Sequence, residues 1–349
     1  MLRPTASIVA SLLIVPAVSG KQAPALSNNQ HYVLIDAENT RSRILRKINL
    51  SKLRERLRDA ADSGYSLRFM SSSSRSLNML LKRAAGTSGN YRLVAESGER
   101  GLINELNNAT AEGFRVLPET IKALDETSMG TTETTWIAVL AKQSDAPRVR
   151  YSMIKGRKDA ELALASSSTT ERTLVGVVGR EGMLGANTVL FFEEIEGAKR
   201  DVPESQQLEY RVVATARTSA MQSDLAAAAA EGFRVITAGS YMTAVLARER
   251  GATPKPFEYR VLAAQRVATS VQELQAAGAV GFRVVATSQN ASEAVFIVER
   301  HAGTSERFDY DILGLQEANA NKKLVGAEGH GYRIVRLLDD LVLLERQQP

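Results

Sequence analysis

One unit is written into this 349-residue chain about six times: an aromatic-led strand, a helix closed by Gly, and two further strands ending in a charged residue. The clearest copies run from Tyr91 through Leu106, Ala109, Glu112, Gly113, Phe114, Arg115 and Val116, and from Tyr210 through Leu225, Ala228, Glu231, Gly232, Phe233, Arg234 and Val235. A third runs from Tyr259 through Leu274, Ala277, Gly281, Phe282, Arg283 and Val284. The lead tyrosines Tyr32, Tyr91, Tyr151, Tyr210, Tyr259 and Tyr310 lie 49 to 60 residues apart. A unit of one helix and three strands buries too little surface to be stable alone, so the units must pack on one another.

Within a unit, the offsets Leu57/Ala60/Gly64/Tyr65, Leu106/Ala109/Gly113/Phe114, Leu225/Ala228/Gly232/Phe233, Leu274/Ala277/Gly281/Phe282 and Leu324/Ala327/Gly331/Tyr332 are constant. Gly at this place predicts a left-handed helix stop, with the aromatic folding back over a last turn kept thin by Ala. The last strands, such as Ala244–Arg250 and Ala294–Arg300, are apolar on both faces. They are therefore expected between the other two strands, in spatial order 1-3-2, with the helix over one face and a neighbouring unit over the other. In the third unit Thr173 stands where Gly is expected and Ser166 where Leu is expected.

The fold class predicted is α+β, as tandem βαββ modules over residues 31–83, 91–142, 150–194, 209–250, 258–300 and 309–346, the first with an enlarged basic helical segment and the third degenerate. Residues 195–208, with Pro203, form the longest join and a candidate boundary between two halves of three.

Arg3 followed by an apolar stretch from Ile8 to Val18 and the small residues Ser19 and Gly20 has the three-part form of a secretory leader over residues 1–20, with a polar linker over 21–30. It is too short and too Pro-interrupted to span a bilayer as a regular helix. The expected location is secreted or periplasmic, with an N-terminal membrane anchor as the alternative. The absence of Cys excludes disulfides, thiolate catalysis and sulfur-ligated metals, and only His31, His301 and His330 offer imidazoles.

The segments Leu106-Asn107 to Val116 and Leu225 to Val235 resemble a small bacterial domain family of unknown function. Its members carry a Leu-Asn…Gly-Ala-Glu-Gly-Trp-Glu-Leu-Val core after a Tyr-led strand. Here Phe or Tyr replaces the family Trp, and Arg replaces the Glu after it. The resemblance implies a strand-helix-strand-strand unit and transfers no site.

Two sets of residues are candidates for function. The net charge of +5 is concentrated between Arg41 and Arg58, where Arg41, Arg43, Arg46, Lys47, Lys52, Arg54, Arg56 and Arg58 face the single acid Glu55. Opposite an apolar face of Ile44, Leu45, Ile48, Leu53 and Leu57, these charges suit an anionic membrane surface or an acidic partner, or else form a solvated outer face. The second set is the Arg after each aromatic (Arg115, Arg234, Arg283, Arg333) with Arg92, Arg211 and Arg260 on first strands. These could line a groove for carboxylate or phosphate ligands, or pair across strands with Glu299, Glu345 and other strand-end acids. Gly176, Gly179, Gly182 and Gly185 match no phosphate loop and are read as a turn. Ser152-Met-Ile-Lys155 lacks the partners of a Ser–Lys nucleophile, and the His residues lack metal-ligand spacing.

No catalytic constellation, metal or cofactor is expected. The sequence points to an exported, non-catalytic repeat protein presenting a surface to an envelope or extracellular protein or an acidic polymer, not to nucleic acid. The alternative is a binder of small anionic ligands or acidic polysaccharide, and an enzyme is the last choice.

Overall fold

The computed structural model describes residues 31–36, 49–72, 76–84, 89–128, 131–143, 147–167, 170–180, 187–199, 208–251, 253, 257–289, 293–317 and 319–349. Residues 1–30, where a leader and linker are expected, and Arg41, Arg43, Arg46 and Lys47 lie outside them.

Six modules follow one another. Module 1 comprises strands Tyr32–Asp36, Tyr65–Ser72 and Leu77–Arg83 with helix Leu50–Asp62; module 2 has Tyr91–Glu96, Phe114–Val116 and Thr131–Lys142 with helix Glu99–Ala111. Module 3 has Val149–Lys155, Thr170–Arg180 and Asn187–Lys199 with helix Arg157–Ser167; module 4 has Leu208–Ala214, Arg234–Gly239 and Thr243–Glu249 with helix Thr218–Ala230. Module 5 has Phe257–Ala264, Arg283–Gln289 and Ala294–His301 with helix Val267–Gly278; module 6 has Phe308–Gly314, Arg333–Leu338 and Leu341–Gln347 with helix Ala320–Gly329. In each sheet the last strand lies between the other two; module 2 alone adds a fourth strand, Lys122–Ser128, paired with its last.

The conserved offsets have a backbone cause. In module 4 the Phe233 N–H donates to the Ala228 carbonyl at 3.0 Å and the Gly232 N–H to that of Ala229 at 2.9 Å, with Gly232 at φ +85°. This is the paired closure of a Schellman motif: Ala supplies the accepting carbonyl and Gly the left-handed residue. The same pair of bonds closes the helices of modules 5 and 6, at Ala277/Phe282 and Ala327/Tyr332. The strand-end arginines complete the cap, Arg248 and Arg300 donating to the carbonyls of Glu231 and Val280 at 2.7 and 3.0 Å, where the helix dipole is negative.

Each module's helix packs against its own sheet on one side and the next module's sheet on the other. Alternate residues of a last strand therefore serve different cores: Ala244 and Leu246 face the helix of their own module 4, whereas Val245 joins Ala160 and Leu164 from module 3. This accounts for strands apolar on both faces. Six such cores lie at six junctions, and the last joins Leu324, Leu337, Val342 and Leu344 of module 6 to Tyr32 and Leu80 of module 1. The array is thus a closed ring, with no terminal module left with a bare apolar face.

Polar side chains repeat at the junctions. The Tyr151 hydroxyl accepts from the Val116 N–H at 2.9 Å and donates to Glu193 at 2.6 Å; Tyr259 bridges Val235 and Glu299 at 2.9 and 2.5 Å; Tyr310 bridges Val284 and Glu345 at 2.9 and 3.0 Å. Helix amides cover the open edge of the next module's first strand: Asn107 exchanges two hydrogen bonds with Tyr151 backbone, at 3.1 and 2.7 Å, and Gln222 takes the Val261 N–H and donates to the Tyr259 carbonyl, both at 2.8 Å. At the closing junction Tyr32 donates to Glu328, Lys82 pairs with Glu328 at 2.6 Å, Ser71 donates to the Asp339 carbonyl at 2.8 Å and Asn78 to its carboxylate at 3.0 Å.

Three sequence expectations are corrected. In module 3 the core leucine expected at position 166 is supplied two residues earlier by Leu164, fully buried on the helix. Gly176 and Gly179 lie inside that strand instead of a turn, while Gly182 and Gly185 fall outside the described residues. Close approach of backbone explains Gly179 and its neighbour Gly239: a methyl on Gly179 would overlap the Ser240 carbonyl, and one on Gly239 would sit 2.5 Å from that of Val177. The last strand of module 3 runs on to Lys199, into the segment read as a join, and the module 3–4 core continues across it.

Candidate binding site at the ring axis

In five modules the second strand is an edge strand that reaches the middle of the ring; in module 2 the turn after the second strand and the start of the added strand take that place. They enclose a cavity of about 340 Å³ whose walls come from every module, from Arg68 in module 1 to Asp339 in module 6. Five of the six strands carry a one-residue bulge at the same place, leaving Arg68, Val175, Ile236, Val285 and Val335 without a pairing partner. A bulge increases local twist and re-aims a side chain. Module 2 solves the same problem differently: its second strand stops at Val116, a turn holds Glu119 at φ +62°, and pairing resumes at Lys122.

The cavity is zoned. Phe69, Ile121, Leu174, Val177 and the half-exposed Ile236 form apolar wall. Hydroxyls near the strand ends are occupied in joining modules: Ser240 donates to the Gly179 carbonyl at 2.8 Å and Ser288 to that of Gly239 at 2.7 Å. Arg68, Lys122 and Arg336 bring three cations from modules 1, 2 and 6, against the carboxylate of Glu119, whose Oε2 lies 3.8 Å from the Arg336 guanidinium. Asp339 also lines the space, but its carboxylate already accepts from Asn78 and Ser76. Arg336 is anchored by donating to the Val335 and Val285 carbonyls at 3.1 and 3.2 Å. Lys122 has no hydrogen-bond or ion-pair partner among the described residues. It lines the cavity as a partly buried residue. Burial therefore lowers its proton affinity below the ordinary lysine value; Glu119 opposes the shift and Arg336 adds to it.

The residues singled out from sequence lie elsewhere. Arg115, Arg234 and Arg283 reach across junctions to Glu193, Glu299 and Glu345 at 2.8, 2.8 and 3.1 Å, and Arg333 joins Arg283 on Glu345. Those carboxylates also accept the tyrosine hydroxyls described above, so the junctions of modules 2–3, 4–5 and 5–6 each hold an Arg–Glu–Tyr cluster. Arg92 and Arg211 form two-pronged pairs with Glu112 and Glu231 and stack on Phe114 and Phe233, at 4.5 and 4.6 Å from the ring centres. Arg260 stacks on Phe282 at 4.4 Å. These seven arginines are spread around the ring and do not converge. Of the basic segment, Arg54 and Arg56 donate to the Leu93 and Asp36 carbonyls at 3.0 and 3.3 Å, while Lys52 and Arg58 lie exposed on the helix. Arg54, Arg58 and Arg92 do share one open groove, lined also by Glu55.

Ser152 accepts from Arg172 at 2.8 Å and Lys155 pairs with Glu99 at 3.0 Å, so neither addresses the other. No group of three or more His, Cys, Asp or Glu side chains that could hold a metal ion occurs among the described residues. None of the described helices is long and apolar enough to cross a membrane.

Arg68, Lys122 and Arg336 escaped the sequence reading because no other copy has a basic residue at the matching position. That difference was the available signal: where Arg68 stands, modules 4, 5 and 6 have Ile236, Val285 and Val335. Neither a known family model nor a curated protein matches the chain, so the resemblance rests on its own residues.

Proposed function

We propose that this protein is a binding ring that holds a small anionic ligand on its axis. The observation that carries the reading is the convergence of Arg68, Lys122 and Arg336 from three modules on one space of about 340 Å³, against two carboxylates, of which Glu119 lies 3.8 Å from Arg336 and Asp339 is taken by Asn78 and Ser76. That volume suits a metabolite-sized ligand, at the small end of the usual range of about 300–1,000 Å³. Guanidiniums with fixed backbone anchors, as at Arg336, are suited to carboxylate or phosphate. In this reading the strand arginines are structural, each unit is a βαββ element like the single-domain family it resembles, and the leader directs the ring to the periplasm or the exterior.

The test is thermal stability against inorganic phosphate, sulfate and small carboxylates. A ligand at a hundred times its Kd adds about 2.7 kcal/mol, which raises Tm clearly. Arg68→Leu with Arg336→Leu removes the response, whereas Arg234→Ala leaves it, after allowance for its lower starting Tm. An unchanged response in the axial double variant overturns the proposal.

A second reading, a scaffold for an acidic envelope or extracellular partner, is supported by the groove where Arg54, Arg58 and Arg92 lie together. Arg58→Glu weakens partner capture in that case and leaves anion binding intact.

A further inference from the structure

We infer that Lys122 captures the carbonyl carbon of its ligand, so that the axial cavity takes a small 2-oxo acid or an anionic aldehyde and holds it as a reversible imine. This rests on the anion-binding reading of the cavity and narrows it to a chemical class.

Three features support the inference. First, Lys122 is the one amine among the cavity-lining residues, and none of the described residues accepts a hydrogen bond from it. A lysine recruited for structure has an acceptor; Lys82 and Lys155 in this chain have Glu328 and Glu99 at 2.6 and 3.0 Å. Second, the groups facing it set its chemistry. Arg336 from the second strand of module 6 and Arg68 from that of module 1 are permanent cations, and Glu119 sits three residues before it on the preceding turn. Burial and the Arg336 guanidinium favour the neutral amine, which is the nucleophile, while Glu119 opposes them, and the guanidiniums lining the cavity can hold the ligand's carboxylate. Third, Glu119 is held in a left-handed backbone conformation that a non-Gly residue adopts only under constraint, with its carboxylate 3.8 Å from Arg336.

The steps balance without an external oxidant or reductant. The amine lone pair forms a C–N bond to the carbonyl carbon, and the oxygen takes up a proton to give a carbinolamine. That hydroxyl leaves as water on taking a proton from solvent, and the nitrogen lone pair closes the iminium. The net change is one carbonyl, one ammonium and loss of one water.

The experiment is reductive trapping on the full chain at neutral pH. Pyruvate or glyoxylate with sodium cyanoborohydride is followed by peptide mass mapping, alongside calorimetry with inorganic phosphate. The expected result is a single adduct on Lys122. Burial lowers the proton affinity of Lys122 and leaves more free amine there than on a surface lysine, so Lys122 should be modified first. Lys122→Arg removes the adduct. Arg336→Leu slows trapping of pyruvate more than that of acetaldehyde. Adducts spread evenly over surface lysines, with phosphate still bound, overturn the imine alone. Absence of both trapping and phosphate binding overturns the cavity reading with it.

Discussion

Removing one hydroxyl at a junction tests how the modules are fastened. In Tyr259→Phe the ring stays in place and only the bridge between Val235 N–H, at 2.9 Å, and Glu299 Oε2, at 2.5 Å, is lost. Glu299 is 4% exposed and keeps Arg234 on its other oxygen at 2.8 Å, so no water replaces the lost donor easily. A hydrogen bond to a charged group contributes about 1.5–3 kcal/mol and an orphaned buried N–H costs about 1–3. These terms share one atom and are not additive, so a loss of about 3 kcal/mol is expected. Urea unfolding gives the total. Amide exchange of the Arg234–Gly239 strand localises it: Val235 should exchange on the order of a hundredfold faster, the equivalent of about 3 kcal/mol. Tyr210→Phe is the control, since the Tyr210 hydroxyl makes no such bridge among the described residues. A loss below about 0.5 kcal/mol in Tyr259→Phe, or equal losses in the two variants, refutes the reasoning.

Gly179→Ala drives a methyl into the Ser240 carbonyl, backbone against backbone, and should cost about 3 kcal/mol by overpacking the module 3–4 contact; denaturant midpoints against wild type measure it. Burial raises the hydroxyl pKa of Tyr32, Tyr151, Tyr259 and Tyr310, with the neighbouring carboxylates adding to the shift. Above the unfolded tyrosine pKa of about 10 the unfolded chain loses these protons and the fold keeps them, so stability is complete below that pH and falls as pH rises past it. Ultraviolet titration should show phenolate absorbance from these four appearing only with unfolding. Lys122 is shifted the other way, to lower pKa, so between its folded pKa and about 10.4 stability rises with pH. Lys122→Met should consequently be the more stable protein at neutral pH, by about 1 kcal/mol, while losing the axial anion response; an equal or lower Tm would contradict the placement of the amine.

What the sequence made legible is the part that repeats. Ala228, Gly232 and Phe233 could be read as a helix stop because a Schellman closure needs those types at those offsets. Val245 between Ala244 and Leu246 announced a strand covered on both faces. Closure was not legible, because a helix packing on the next module's sheet looks the same in an open array and in a ring. Only the small rotation from module to module decides between them, and no residue encodes it locally. The bulges were equally silent: Ile236 and Val285 read as ordinary strand residues, and only the observed register sets them aside. The arginines that caught attention, Arg234 and Arg283, are repeated because junctions are repeated. Arg68, Lys122 and Arg336 are not repeated, and that is why they surfaced only once the six inner strands were seen around one space.

The central claim is that module 6 docks on module 1. Lys82 and Glu328 are 246 residues apart in sequence and 2.6 Å apart in the ring, a spacing that a zero-length carbodiimide cross-link joins directly. Applied to monomer at low concentration, with isotopically light and heavy chains mixed, the reagent should give a Lys82–Glu328 peptide in which both halves carry the same label. A cross-link absent from the monomer, or formed only between differently labelled chains, would mean that the array is open.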